Sequence, residues 1–141
     1  MLKKLYPNLP IDDLPKELLA ALPEEKFDIG KIRQLEALEF TEIVPIIPHL
    51  LTWLQDMNWP IAKPMVAFLL KGDEEMVGPV REILKGDDEK WQLWVLEYLV
   101  SEWKPALMAS IQPDLKELAT RTRDVDVSEI LSALAFKTRT Q

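Results

Sequence analysis

The chain has 141 residues, a formal net charge of −7 and no cysteine, so it is long enough for one self-supporting domain. The absence of cysteine excludes disulfides, thiolate metal sites and cysteine nucleophiles, and we expect a cytoplasmic protein. The negative charge argues against nucleic-acid and anionic-membrane partners, which need clustered lysine and arginine, and no apolar run approaches the ~20 residues of a membrane span.

Residues 1–27 form a proline-rich lead-in, in which we expect a short helix from Pro15 to Leu22. Beyond it, apolar residues recur at helical spacing, whereas glycine is rare and strand-like alternation is hard to find. This pattern predicts an all-α protein. We expect Asp28 to cap the next helix, which runs through Leu38.

Two prolines interrupt the following predicted helix, EIVPIIPHLLTWLQ, which we expect Thr41 to cap. A proline inside a helix removes a backbone hydrogen bond and clashes with the preceding turn, at a cost of ~3 kcal/mol. We therefore expect Pro45 and Pro48 to cause either a kink or a restart with Pro48 at a helix start.

The stretch WLQDMNWPIA, residues 53–62, combines two tryptophans with an aspartate, an asparagine and a proline. It can be a binding site or only a corner between two helices. We expect Asn58 to cap a largely buried helix that begins near Pro60 and ends at Gly72. Trp53 is offset from the apolar stripe of the preceding helix, so it is our candidate for an exposed tryptophan.

The second half of the chain continues the helical pattern. We expect Asp73 to cap a helix that stops at Gly86. Asp87 or Asp88 should then cap a long central helix, EKWQLWVLEYLVSEW. A short ALMASI segment, a helix over residues 114–120 opened by Pro113, and a last helix over residues 127–136 complete the prediction.

Short turns between helices of this length predict antiparallel neighbours, and Trp59 and Trp91 begin similar segments 32 residues apart. Stacked helical pairs have repeats near this length. We therefore favour a short right-handed α-solenoid of the HEAT or armadillo type, with a compact helical bundle as the alternative. We expect a single domain over residues 1–141, with the lead-in, a core over residues 28–123, and a C-terminal helix and polar tail over residues 124–141.

Two segments, PIIPHLLTWLQDMNWPIAKPMVAFLL and DDEKWQLWVLEYLV, resemble the bacterial family called domain of unknown function 5071. The resemblance covers roughly residues 24 to 124. It implies a compact HEAT-like helical domain and no known activity, substrate or cofactor. The positions that carry the resemblance are Pro48, Trp53 to Asp56, Asn58 to Pro60, Asp87, Asp88, Trp91, Trp94, Val95 and Leu96.

Candidate chemistry is sparse in this sequence. His49 is the single histidine, so a zinc site would need one histidine plus carboxylates, and no serine lies in a Gly-x-Ser-x-Gly turn. The paired carboxylates lie next to each other along the chain, which does not supply an acid and a base with separated pKa values. We therefore assign no catalytic, cofactor-binding or metal-ligating residue.

The tryptophans and the acidic charge give the remaining functional signal. Residues 71–103 hold nine acids and four bases, and exposed tryptophan commonly anchors a protein partner. Our leading interpretation is a non-enzymatic protein-interaction module, of an immunity or regulatory kind, that binds a basic partner. The alternatives are a carboxylate- or metal-dependent enzyme and a HEAT-like nucleic-acid binder. The candidate interaction surface comprises Trp53, Asp56, Asn58, Asp87 and Asp88.

Overall fold

The computed structural model describes residues 2–139, with side chains described for residues 4–137. This part of the chain consists of helices and turns and holds no strand, so the prediction of an all-α protein is confirmed. The chain divides into two compact units, residues 1–71 and residues 72–141. The stacking of helix pairs into a solenoid stays a prediction.

The described part of the first unit forms five α-helices and three 3-10 helices. The α-helices are α1 (Leu2–Leu5), α2 (Lys16–Ala21), α3 (Gly30–Glu36), α4 (Ile47–Leu51) and α5 (Ala62–Leu69). The 3-10 helices are Ile11–Asp13, Phe40–Ile46 and Thr52–Leu54. Buried side chains of these helices and of the residues next to them form the core of this unit, which includes Leu22, Leu35, Ile43, Ile46, Ile47, Leu50, Leu51, Leu54, Ile61, Met65 and Leu69.

The two prolines at 45 and 48 divide the predicted EIVPIIPHLLTWLQ helix in two. Pro45 lies inside the 3-10 helix Phe40–Ile46, and Pro48 lies in the first turn of α4. Proline is tolerated in the first turn, where Pro48 lies, because the first backbone N–H groups of a helix have no acceptor within the helix. The predicted restart at Pro48 is confirmed.

The caps predicted at Asp28 and Thr41 are wrong. The Asp28 side chain accepts a hydrogen bond from the backbone N–H of Glu24 at 3.0 Å and caps no helix. The segment that we expected Thr41 to cap begins two residues earlier than expected, at Phe40, because Glu39 is its N-cap and forms a reciprocal capping box with Glu42. In that arrangement each glutamate side chain accepts a hydrogen bond from the backbone N–H of the other residue.

The second unit contains α6 (Val77–Lys85), α7 (Glu89–Trp94), α8 (Pro105–Ala109), α9 (Gln112–Arg121) and α10 (Val125–Arg139). A 3-10 helix, Glu74–Met76, precedes α6. After α7 the backbone continues as a π-helix over Val95–Leu99 and a 3-10 helix over Val100–Glu102. The predicted long helix is therefore one helical stretch with a π-helical middle, and we call residues 89–102 the central stretch.

The caps of the second unit agree better with the sequence. Asp88 is the N-cap of α7, where its side chain accepts a hydrogen bond from the backbone N–H of Trp91 at 3.1 Å. Gly86 ends α6 as predicted. Asp73 does not cap with its side chain; instead its carboxylate pairs with Lys104 at 2.7 Å.

The C-terminal end of α6 is held by side chains from two other helices. Fully buried Gln92 donates its Nε2 to the carbonyl oxygens of Ile83, at 3.2 Å, and Gly86, at 2.8 Å. Arg121 of α9 donates to the Gly86 carbonyl at 3.0 Å and also to that of Leu84. These bonds satisfy carbonyls that a helix end leaves without partners, and they tie the end of α6 to the central stretch and to α9.

Candidate functional site

Trp53 is buried, with 7% of its surface exposed. Its indole Nε1 donates a 2.7 Å hydrogen bond to the hydroxyl of Tyr6, which in turn donates to the carbonyl of Pro23 at 3.0 Å. Its ring meets the ring of Trp59 edge to face at 5.8 Å. The idea that Trp53 is an exposed anchor is therefore wrong, because its polar atom and its ring are both used inside the first unit.

Asp56 and Asn58 form a local turn. The Asp56 carboxylate accepts a hydrogen bond from the backbone N–H of Asn58 at 2.9 Å, which is an Asx-turn. Asn58 is exposed, and α5 begins four residues after it, at Ala62, with Ile61 at its N-cap and no side-chain cap. The predicted cap at Asn58 is therefore wrong. The stretch 53–62 builds a corner of the first unit.

Asp87 and Asp88, the other members of the predicted interaction surface, lie in the second unit and are exposed. Asp88 is committed to capping α7. The five residues are thus divided between the two units, and their joint action as one surface stays a prediction.

A groove of about 390 Å³ lies within the second unit, between the central stretch and α10. We call it the Trp94 groove. The central stretch contributes Lys90, Leu93, Trp94 and Glu97, and α10 contributes Asp126, Glu129, Ile130 and Ala133.

Helical spacing explains why these side chains share one groove. Residues three and four apart lie on the same face of a helix, and Asp126, Glu129, Ile130 and Ala133 follow that spacing along α10. Lys90 and Trp94 are four apart at the other wall. Glu97 belongs to the π-helical turn, and such turns often occur at functional sites. One wall of the groove is therefore a single face of α10, and the other wall is formed by α7 and the π-helical turn that follows it.

Aromatic and charged groups meet on the central-stretch wall. Trp94 is half-buried, and its ring lies 5.9 Å from the ring of Tyr98. The Lys90 ammonium sits over the Trp94 ring, 5.0 Å from its centroid. Such a contact is favourable because the face of an aromatic ring carries negative charge.

Carboxylates dominate the charge of the Trp94 groove. Glu97, Asp126 and Glu129 are exposed and line it together, against the single ammonium of Lys90. A groove with an aromatic surface and an excess of negative charge is suited to a cationic side chain of another molecule. This is the arrangement that we expected of an interaction site, but its residues lie outside the predicted interaction surface.

The sequence contained a partial signal for this groove. Trp94 and Tyr98 are four residues apart, a spacing that places both rings on one face of a helix, and both side chains are half-buried. The acids of α10 gave no signal by themselves, since acids on one face of a helix are ordinary. Only the packing of α10 against the central stretch brings Asp126 and Glu129 beside Trp94.

A larger groove of about 600 Å³ lies between α9 and α10. Its walls are aliphatic, hydroxyl and amide side chains, and Lys116 alone is charged among the described residues that line it. Its polar groups are nearly all uncharged, so this lining favours a charged partner less than the Trp94 groove does. Its residues are Gln112, Leu115, Lys116, Ala119, Ser128, Leu131, Ser132 and Ala135.

His49 is half-buried, and its ring meets that of Tyr6 edge to face at 5.5 Å. Burial lowers the pKa of His49 below its ordinary value, because a charged imidazolium loses hydration in the protein interior. Across the described side chains, no group of three or more His, Cys, Asp or Glu residues could hold a metal ion. His49 packs against Tyr6 in the first unit.

Within residues 2–139, no helix is both long enough and apolar enough to cross a lipid bilayer.

Comparison with known proteins places the chain in a family. Residues 21–138 match the family described as "Domain of unknown function (DUF5071)", and the match extends over parts of both units. No curated protein matches the chain. Because the family match covers most of the sequence, the chain belongs to the DUF5071 family.

Proposed function

We propose that this member of the DUF5071 family is a non-enzymatic protein-interaction module of the bacterial cytoplasm, and that it binds a basic segment of a partner protein in the Trp94 groove. The observation that carries the proposal is the set of three carboxylates around a half-buried tryptophan face. A basic segment would place cationic side chains against both features.

The charge of the whole chain supports this assignment. The net charge is −7, and residues 71–103 hold nine acids against four bases. Concentrated negative charge raises the rate at which a basic partner arrives and disfavours acidic competitors. An immunity-type protein that occupies a basic toxin and a regulator of a basic protein would both use this binding mode. A HEAT-like stacking of the helix pairs would be compatible with it.

A charge-reversal experiment tests the proposal. The probe is a fluorescein-labelled peptide of mixed lysine and arginine, and its dissociation constant is measured by fluorescence anisotropy at physiological salt. Asp126→Lys combined with Glu129→Lys should weaken binding by about tenfold or more, since each reversal replaces an attraction by a repulsion. Circular dichroism verifies that the variant is folded.

The matched control reverses two exposed glutamates of the same unit that do not line the groove, Glu82→Lys and Glu102→Lys. It changes the net charge by the same amount. We expect a loss of less than about threefold, because separated surface charges are screened by salt. An equal loss in both double variants would mean that the peptide binds the acidic surface without a site, and would contradict the proposal.

A further inference from the structure

The Trp94 groove already contains one cation, supplied by the chain itself. The Lys90 ammonium lies 5.0 Å from the centroid of the Trp94 ring, and both residues lie on one face of α7, four positions apart. Lys90 is exposed and on a flexible side chain, so it can leave this position with little disturbance of the fold. The face of the Trp94 ring is thus covered by a side chain that another cation can displace.

We infer that the partner supplies an arginine whose guanidinium replaces Lys90 on the face of Trp94. The inference rests on the proposed function and names the chemistry of the bound group. A guanidinium is planar, so it stacks on an indole, and it is less strongly hydrated than an ammonium. Its N–H groups would reach the carboxylates of Glu97, Asp126 and Glu129, which line the same groove.

The carboxylates distinguish arginine from other cations. Arginine offers five N–H donors in a fixed fork that matches carboxylate oxygens two at a time. A quaternary ammonium has no N–H donor and is bound by cages of several aromatic rings. Among the residues that line this groove Trp94 is the aromatic one, and the charged wall opposite it consists of acids. The lining is therefore matched to a cation that both stacks and donates.

Lys90 would then act as a built-in competitor. In the free protein it covers the aromatic face, and binding requires that it move aside. Removing it should strengthen arginine binding by about two- to fivefold, the equivalent of one exposed cation–π contact. Removing another exposed lysine of the same unit, Lys85, changes the net charge equally without uncovering Trp94.

The experiment compares two labelled peptides of equal charge, one of four arginine–glycine–serine repeats and one of four lysine–glycine–serine repeats. Dissociation constants are measured by fluorescence anisotropy with the full chain. The arginine peptide should bind about five- to tenfold more tightly. Trp94→Leu should reduce its affinity to that of the lysine peptide, and Trp94→Phe, which keeps an aromatic face, should preserve most of the preference.

A double-mutant cycle separates displacement from simple charge. Lys90→Ala should strengthen arginine binding in the wild-type background, and it should have a much smaller effect together with Trp94→Leu. Lys85→Ala should have the same small effect in both backgrounds.

Each contrary result has a defined meaning. Equal affinity for the two peptides, no effect of Trp94→Leu, or a Lys90→Ala effect that persists unchanged without Trp94 would overturn the arginine inference. In those cases binding that is still lost on reversing Asp126 and Glu129 would leave the proposed function standing. No binding of either peptide at millimolar concentration would overturn both.

Discussion

Trp53 in the first unit and Trp94 in the second both lie in helical segments but have different surroundings. Trp53 is buried, donates to the hydroxyl of Tyr6 and meets a second indole edge to face. Trp94 is half-buried, and its face is covered by the side chain of Lys90. The first tryptophan is therefore enclosed by the core, whereas the second is covered by a group that solvent can replace.

The difference shows which tryptophans of a helical protein are available to a partner. A buried indole needs an acceptor for its N–H, and the hydroxyl of Tyr6 satisfies this need within the same unit. A half-buried indole covered by a cation has a face that another cation can occupy. The arrangement of groups around each ring, and not the presence of tryptophan, distinguishes a structural position from a binding position.

The largest expected effect is on stability, and it tests this contrast directly. Trp53→Ala should lower the free energy of unfolding by about 3–5 kcal/mol, because it leaves a cavity in a packed core. Trp94→Ala should cost about 1 kcal/mol, since its side chain is only half-buried. Urea denaturation followed by circular dichroism measures both variants without relying on tryptophan fluorescence. Equal losses would show that Trp94 is as structural as Trp53.

The second prediction concerns alkaline pH and the partner of Trp53. Burial, reinforced by the charge of Asp28 and opposed by the Trp53 hydrogen bond, raises the pKa of Tyr6 to about 12 from 10.0. Between these two values the unfolded chain has lost the tyrosine proton while the folded chain retains it, so stability falls as pH rises. The contribution is complete below pH 10 and shrinks by about 3 kcal/mol up to pH 12.

The matched variant is Tyr6→Phe, which removes the titrating group. Its stability at neutral pH should be lower by about 1–3 kcal/mol, because the indole N–H of Trp53 loses its acceptor. Its further decline between pH 10 and 12 should be clearly shallower than that of the wild type. Parallel declines of the two proteins would mean that other groups, and not Tyr6, set the alkaline limit. Urea titrations at several pH values measure this.

The features predicted correctly from the sequence are those set by neighbours along the chain. The all-α class follows from apolar spacing, the restart at Pro48 from the missing N–H, and the cap at Asp88 from a carboxylate before an apolar helix. The start at Phe40 was missed because Glu39 is not a usual capping residue, and it caps only through its reciprocal pair with Glu42.

The features that could not be predicted depend on contacts between distant segments. Tyr6 lies 47 residues before Trp53, and no local pattern links a lead-in tyrosine to a tryptophan in a later helix. Likewise the Trp94 groove combines the central stretch with α10. The π-helical turn at Val95–Leu99 also has no marker in the sequence, although it shifts the positions of side chains such as Glu97 relative to a regular helix.

The smallest effects on stability are expected at the aspartates that precede or follow the two tryptophans along the chain, Asp56 near Trp53 and Asp87 and Asp88 near Trp94. Asp88→Ala should cost about 1 kcal/mol of stability, since α7 loses the side chain that accepts from the Trp91 N–H. Asp56→Ala should cost about half of that, because its bond to the Asn58 N–H closes an exposed turn and begins no helix. Asp87→Ala, at an exposed neighbouring position, should change stability by less than about 0.5 kcal/mol.

Urea denaturation of the three variants gives this order, and Asp88→Asn provides a second control because asparagine also caps helices well. A large loss of stability for Asp87→Ala with none for Asp88→Ala would mean that Asp87, and not Asp88, caps α7. A loss at Asp56 that equals the loss at Asp88 would mean that the corner of the first unit depends on its aspartate as strongly as α7 does. We instead expect the largest loss at Asp88, because it caps the helix that carries Trp94. The corner around Trp53 is held mainly by its buried rings.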